Sequence, residues 1–160
     1  MKTLLVILTL AITTSAQAFE ETSGDAFETF VLDTRNAWAL LGSIDIIEEG
    51  TGADWKAVKT FPAAVLDARD DFEIAGYLVP VLAEAEITNL MLVPEPSNCP
   101  FCGVGSGYGT LIEVSLKRGI TGVVEGSLLR VRGRLELIES PDTMQAFRLV
   151  DAVSLEIPGY

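Results

Sequence analysis

The residues best suited to chemistry in this sequence are the two cysteines of the run Cys99-Pro100-Phe101-Cys102, which is followed by a glycine-rich stretch over residues 103–109. In an oxidising compartment, cysteines at this spacing can close a small disulfide ring, and in a redox enzyme one of them can serve as a nucleophilic thiolate. Two thiolates can also bind Cu(I), or bind zinc together with carboxylates. Three chemistries are therefore open for this motif: a structural disulfide, a redox centre and a metal site.

The residues that follow the motif favour a structural disulfide. C-P-x-C is similar to the active-site motif of glutaredoxin-like proteins, in which a helix begins at the motif and stabilises the thiolate. The glycines of residues 103–109 are poor helix formers, and two sulfurs supply only half of a typical structural zinc site. We therefore expect a structural disulfide that fixes this loop and contributes about 2 kcal/mol to the stability of the fold. We expect no cofactor. Phe101 and Tyr108 are candidate contact residues if this loop forms a binding lip.

The chain contains no histidine, and this excludes a wide range of mechanisms. Ser-His-Asp and Cys-His nucleophile systems, His-ligated zinc and 2-His-1-carboxylate iron all require an imidazole. The motifs G-x-S-x-G, S-x-x-K and G-x-x-x-x-G-K-[ST] do not occur either. No catalytic residue is predicted, and a binding protein is favoured over an enzyme.

A second candidate site is basic. Arg130, Arg132 and Arg134 alternate along one predicted strand, so all three belong to the same face of a sheet, and Arg148 on the next strand can join them. This face is a candidate site for an anion or an acidic partner. Cross-strand ion pairing is the favoured alternative, because neighbouring strands commonly place opposite charges together. The carboxylates considered as partners are Glu73, Glu113 and Glu136.

The charge balance limits the range of partners. The chain has 23 acidic and 11 basic residues and a formal net charge of -12. A strongly negative protein repels phosphates, so we expect no nucleic-acid partner and no docking on anionic lipid.

The first 18 residues are typical of a secretory signal peptide. They combine the charged Lys2, an apolar run over residues 4–12 and the cleavage site Ala16-Gln17-Ala18. The apolar run is shorter than the about 20 residues that cross a bilayer. We therefore expect cleavage after Ala18 and a periplasmic or secreted protein that is not inserted in the membrane.

Five segments with alternating apolar and polar residues predict the strands that must position these candidates. The segments are residues 71–81, 88–93, 111–116, 128–138 and 147–157. They indicate a mainly β fold, a small antiparallel five-stranded OB-like barrel or sandwich with a short N-terminal helical or irregular segment. Residues 19–37 are predicted as an acidic N-terminal arm and residues 38–160 as a single β-rich domain, with a further strand around residues 43–47.

Several short motifs carry a family resemblance through their order and spacing. They are Trp38-x-x-Leu41-x-Ser43, Phe61-Pro62, Gly76-Tyr77-Leu78-Val79-Pro80, Leu92-Val93-Pro94, Cys99-Pro100-Phe101-Cys102, Glu113-Val114, Val131-Arg132-Gly133-Arg134-Leu135 and Phe147-Arg148-Leu149-x-Asp151-Ala152. This pattern resembles the exported bacterial family known as domain of unknown function 3299. The resemblance implies a single exported β-rich domain with the cysteine loop as its most distinctive patch.

The resemblance also implies a setting for the protein. Genes of this family tend to lie near those of membrane transport systems, which implies a periplasmic or membrane-transporter protein as partner. Members often follow the first cysteine with a proline-rich run, and some carry a histidine near it, which implies a metal or ligand site. Here the glycine-rich residues 103–109 replace that run and the chain has no histidine. We predict an exported, non-enzymatic binding or accessory module. The alternative is a thiol-disulfide or soft-metal-handling protein that uses Cys99 and Cys102.

Overall fold

The computed structural model describes residues 22–81, 84–96 and 111–157. Its helices are α1 (Thr22–Gly42) and α2 (Ala63–Ala68), and a short 3-10 turn spans Gly52–Asp54. Its strands are β1 (Asp45–Glu49), β2 (Lys56–Thr60), β3 (Phe72–Pro80), β4 (Ile87–Val93), β5 (Ile112–Ile120), β6 (Leu128–Leu137) and β7 (Phe147–Leu155). The five strands predicted from alternation are β3 to β7, and β5 continues to Ile120 instead of ending at residue 116.

Strands β3 to β7 close into a barrel in the order β3-β4-β5-β7-β6. The pairings are antiparallel except between β5 and β7, which are parallel. A closed ring with an odd number of strands cannot alternate direction all the way round, so one parallel pairing is unavoidable. The mainly β, OB-like five-stranded barrel expected from the sequence is confirmed, with this one parallel pair as its departure from a purely antiparallel sheet.

The barrel interior is filled by the inward-facing residues of each strand. In β6, Leu129, Val131 and Leu135 are buried, while Arg132 and Arg134 between them are exposed. Because successive strand residues point to opposite faces, this alternation places every arginine of β6 on the outside of the barrel.

Helix α1 packs against the barrel through one apolar face. Its buried residues Phe30, Ala37, Trp38 and Leu41 follow the helical spacing, and the Trp38 Nε1–H donates to the carbonyl oxygen of Ala75 in β3 at 2.7 Å. The helix is 21 residues long, so it exceeds the short segment expected and passes unbroken through the predicted boundary after residue 37. Within the described ranges, no helix is both long and apolar enough to cross a membrane.

Strands β1 and β2 form a separate antiparallel hairpin beside the barrel. The Ala57 N–H donates to the carbonyl oxygen of Pro141 at 2.8 Å. The Lys59 Nζ donates to three further carbonyl oxygens of the same β6–β7 connection, at 2.7 to 2.9 Å; these belong to Ile138, Ser140 and Gln145. The hairpin therefore holds this connection in place, and partial burial lowers the pKa of Lys59.

Candidate binding surface

The four arginines predicted as binding candidates lie on the outer surface of β6 and β7, but the structure does not bring all of them together. Arg132 and Arg134 line one cavity. Arg130 lines a different one, under α1, and Arg148 lies beside Glu136. The four side chains therefore have different partners and different capacities to bind a ligand.

Arg130 has a full set of partners within the protein. Its guanidinium contacts the Glu73 carboxylate at 2.5 and 2.6 Å and donates to the carbonyl oxygen of Glu156 at 3.1 Å. It also lies over the Phe30 ring, 5.5 Å from the centroid, where a cation–π interaction is favourable. With these contacts Arg130 joins α1, β3 and the end of β7, so its geometry is that of a structural residue.

Arg148 forms a cross-strand ion pair. It lies directly opposite Glu136 in the register of β6 and β7, and its Nε and Nη2 atoms are 2.9 and 3.1 Å from the Glu136 carboxylate oxygens. Hydrogen bonds from Arg148 lower the pKa of Glu136. Glu73 and Glu136 are thus partners of arginines, as the cross-strand alternative proposed, whereas Glu113 accepts a hydrogen bond from Gln145.

Arg132 and Arg134 line what we call the charged cavity, between β5, β6 and β7. It has a volume of about 350 Å³. Its lining comprises Asp70, Asp71, Lys117, Arg132, Gly133, Arg134, Asp151 and Val153. Three cations and three carboxylates therefore meet in one concave surface of an otherwise strongly acidic chain.

The three cations of the charged cavity differ in their ion pairs with carboxylates. Arg132 forms a two-pronged hydrogen-bonded pair with Asp71, with 2.5 Å between its Nε and the Oδ1 atom. Among the described residues, Arg134 has one carboxylate within 4.0 Å, that of Asp151, with 3.7 Å between Nη2 and Oδ2, which is too far for a hydrogen bond. Lys117 forms no ion pair with any residue that the structure describes. Arg134 and Lys117 therefore have donors available for an external anion.

A bulge in β7 places Asp151 at the rim of this cavity. The register with β6 shifts between Arg132 and Arg134, so that two residues of β7 oppose Gly133 alone. Asp151 adopts a left-handed conformation, with φ of 55°, which aspartate tolerates better than most residues. β-Bulges occur often beside binding sites, where they redirect a side chain.

Sequence reasoning did not identify Lys117 or Asp151 as site residues. Lys117 follows Glu113 and Ser115 at two-residue spacing, so extending the predicted strand beyond residue 116 would have placed it on the outer face. Nothing in the sequence indicates the left-handed conformation at Asp151. The bulge depends on how β7 registers with two neighbours at once.

Acidification should weaken the fold by breaking the ion pairs of this surface. Hydrogen bonds from Arg132 hold the pKa of Asp71 below its ordinary value. A carboxylate with a depressed pKa in the folded state stabilises the protein above about pH 4, and that contribution is lost as the pH falls further. Denaturant unfolding between about pH 5 and pH 2 should therefore show falling stability, and Asp71→Asn should make this decline shallower.

The control for this pH prediction is Asp54→Asn. It removes a carboxylate in the hairpin turn that has no ion-pair partner in the described part of the chain. Its decline should follow that of the wild type. A decline in Asp71→Asn as steep as in the control would contradict the role given to the Arg132–Asp71 pair.

The other predicted site residues, namely Cys99, Phe101, Cys102 and Tyr108, lie outside the described residues, as does the predicted signal peptide. The disulfide, redox and metal interpretations of the cysteine motif therefore stay predictions. Among the described residues, no three His, Cys, Asp or Glu side chains form a group that could hold a metal ion.

Comparison with known proteins finds one relevant solved structure. No protein-family model matches the chain, and no curated protein matches it. The chain is similar to the crystal structure of a DUF3299 family protein from Pseudomonas aeruginosa PAO1, with 17% sequence identity and a TM-score of 0.43. The similarity covers 63% of this chain and 70% of that chain. The solved protein belongs to the family that the sequence motifs resemble.

Proposed function

We propose that this chain is an exported, non-enzymatic binding or accessory module, and that the charged cavity is its site for an acidic group on a ligand or partner. The observation that carries this proposal is that two of the three cations of the charged cavity have no hydrogen-bonded carboxylate among the described residues. In the described part of the chain, Arg134 lies 3.7 Å from the nearest carboxylate, that of Asp151, and Lys117 has no ion-pair partner.

The geometry suits recognition of a carboxylate or phosphate. The guanidinium of Arg134 presents a planar set of donors that matches either anion, and Lys117 on the neighbouring wall adds a point charge. The Arg132–Asp71 pair contributes no net charge but fixes the shape of one wall. The remaining carboxylates, Asp70 and Asp151, lower the affinity of the cavity for any anion, so the Kd values compared below are those of a weak site.

Two substitutions in the charged cavity should shift anion affinity in opposite directions. With an acetylated tetraglutamate peptide as probe at low ionic strength, Arg134→Gln should raise the Kd about tenfold, because a charge-assisted hydrogen bond is lost. Asp151→Asn should lower the Kd by up to about fivefold, because the carboxylate that competes for Arg134 is neutralised while a residue that tolerates positive φ is kept. Isothermal titration calorimetry measures both values.

Lys56→Gln is the matched control for this experiment. Lys56 pairs with Glu49 at 3.0 Å in the hairpin, so this variant also removes one positive charge but not from the cavity. It should bind the peptide as the wild type does. Equal weakening in Lys56→Gln and Arg134→Gln would show that only the overall charge matters, and the cavity would then not be the site.

The setting of this function rests on the sequence. The signal peptide predicted over residues 1–18 supports export, and the family resemblance supports a role beside a membrane transport system. In that setting the acidic group belongs to a periplasmic or membrane-transporter protein or to its ligand. Export is tested by N-terminal sequencing of the protein recovered outside the cytoplasm, which should begin at Phe19.

A further inference from the structure

The β1–β2 hairpin has one covered edge and one open edge. The outer edge of β2 is occupied by the β6–β7 connection, through the hydrogen bond from Ala57 to Pro141 and the three contacts of Lys59. The outer edge of β1 has no pairing strand in the part of the chain that the structure describes. An open strand edge carries unpaired backbone donors and acceptors that can add a further strand.

The register of the hairpin shows which backbone groups point outward. Ala57 directs its N–H away from β1, so the opposing pair of Ala57 and Glu48 is a non-hydrogen-bonded pair. In antiparallel strands the two pair types alternate, so Glu48 and Ile46 both direct their N–H and C=O groups toward the open edge. An added strand would therefore hydrogen-bond to Ile46 and Glu48.

The outer face of the hairpin indicates the side chains that such a strand needs. Ile47 lies opposite Val58, and both are exposed, by 52% and 38%. Asp45 and Glu49 flank Ile47 on the same face of β1; Glu49 pairs with Lys56 at 3.0 Å, and its side chain is still half exposed. A strand beside β1 would gain most from an apolar residue next to Ile47 and from basic residues two positions away on either side.

We propose that the open edge of β1 binds a strand of a partner protein with the pattern basic–x–apolar–x–basic. This surface is distinct from the charged cavity and attracts the opposite charge. A second copy of this chain fits it poorly, because pairing β1 with itself in antiparallel register about Ile47 places Asp45 opposite Glu49 at both ends. Like charges directly opposite one another destabilise a strand pair.

A short palindromic peptide tests this proposal. Acetyl-Lys-Thr-Val-Thr-Lys-amide can place its valine beside Ile47 and its lysines beside the flanking carboxylates in either strand direction. Amide hydrogen exchange by NMR should slow at Ile46 and Glu48, roughly tenfold when the peptide concentration is ten times the Kd. The peptide Glu-Thr-Val-Thr-Glu, capped in the same way, should leave both amides unchanged.

Two variants at Glu48 separate backbone pairing from surface attraction. Glu48→Ala and Glu48→Pro both remove the carboxylate that accepts a hydrogen bond from Trp55 Nε1, but only proline removes the outward N–H. The basic peptide should bind Glu48→Ala and fail to bind Glu48→Pro. If the proline variant does not fold, the comparison of basic and acidic peptides on the wild type remains a complete test.

Three results would overturn the proposal. They are equal protection by the two peptides, protection only at other amides, and protection of Ile46 and Glu48 that increases with protein concentration in the absence of peptide. The last result would assign the edge to a second copy. The Arg134→Gln variant should bind the basic peptide normally, so failure here is distinguishable from failure of the anion site in the charged cavity.

Discussion

Trp38→Ala should lower the free energy of unfolding by about 3–5 kcal/mol, the usual cost of truncating a buried tryptophan. Trp38 is only 9% exposed and lies between α1 and β3, where it is close to Gly76. Its loss opens a cavity in this contact and also leaves the Ala75 carbonyl oxygen without the hydrogen bond from Nε1. Denaturant unfolding followed by far-UV circular dichroism measures the effect.

Trp55→Ala is the matched control, because the protein has two tryptophans and the second lies in the hairpin. The Trp55 Nε1–H donates to the exposed Glu48 carboxylate at 2.9 Å, and Trp55 is not among the buried core residues. We expect this variant to lose no more than about 1 kcal/mol. Equal losses in the two variants would mean that α1 is not held to the barrel by Trp38.

Gly133→Ala should destabilise the barrel at the strands that form the charged cavity. Gly133 occupies an inward-facing position of β6, opposite the bulge of β7. A Cβ atom there would lie 2.8 Å from the Val150 carbonyl oxygen and 2.9 Å from the Ala152 Cα, so β7 has to move. Overpacking of this kind costs about 1–3 kcal/mol. The shift would also change the spacing of Arg134 and Asp151, so binding of tetraglutamate should weaken.

Gly42→Ala provides the comparison for this substitution. A Cβ atom at Gly42 meets no atom within 4 Å, and the residue lies at the end of α1. Alanine favours helix over glycine by about 1 kcal/mol, so the control should be unchanged or slightly stabilised. A Gly133→Ala protein as stable as Gly42→Ala would contradict the close β6–β7 contact.

The strands were the most predictable part of the fold. Residues such as Leu129, Val131 and Leu135 alternate with arginines, and the closed barrel buries the apolar set. Helix α1 was harder to predict, because its first half is acidic and Phe30 is the one buried residue among residues 24–36. Phe30 is buried beside the Arg130 guanidinium and not in the main apolar cluster, a contact that sequence spacing does not indicate.

The sequence predicted that arginines of one strand lie at the candidate site, but not which carboxylate each of them contacts. Alternation placed Arg130, Arg132 and Arg134 on one face, and they do share the outside of β6. Their pairing depends on contacts between elements distant in sequence: Glu73 and Phe30 surround Arg130, whereas Asp151 is the one carboxylate near Arg134 in the part of the chain that the structure describes. Sequence spacing carries no information about the bulge that places Asp151 beside Arg134.

The most direct test of the anion site is an NMR titration of the wild-type protein with acetylated tetraglutamate at low ionic strength. Binding at the charged cavity predicts saturable shifts of the backbone amides around Lys117, Arg132, Arg134 and Asp151, all with the same Kd, and their suppression by added salt. Shifts confined to other surfaces, or no saturable shift at these four residues, would contradict the assignment of the charged cavity as the binding site.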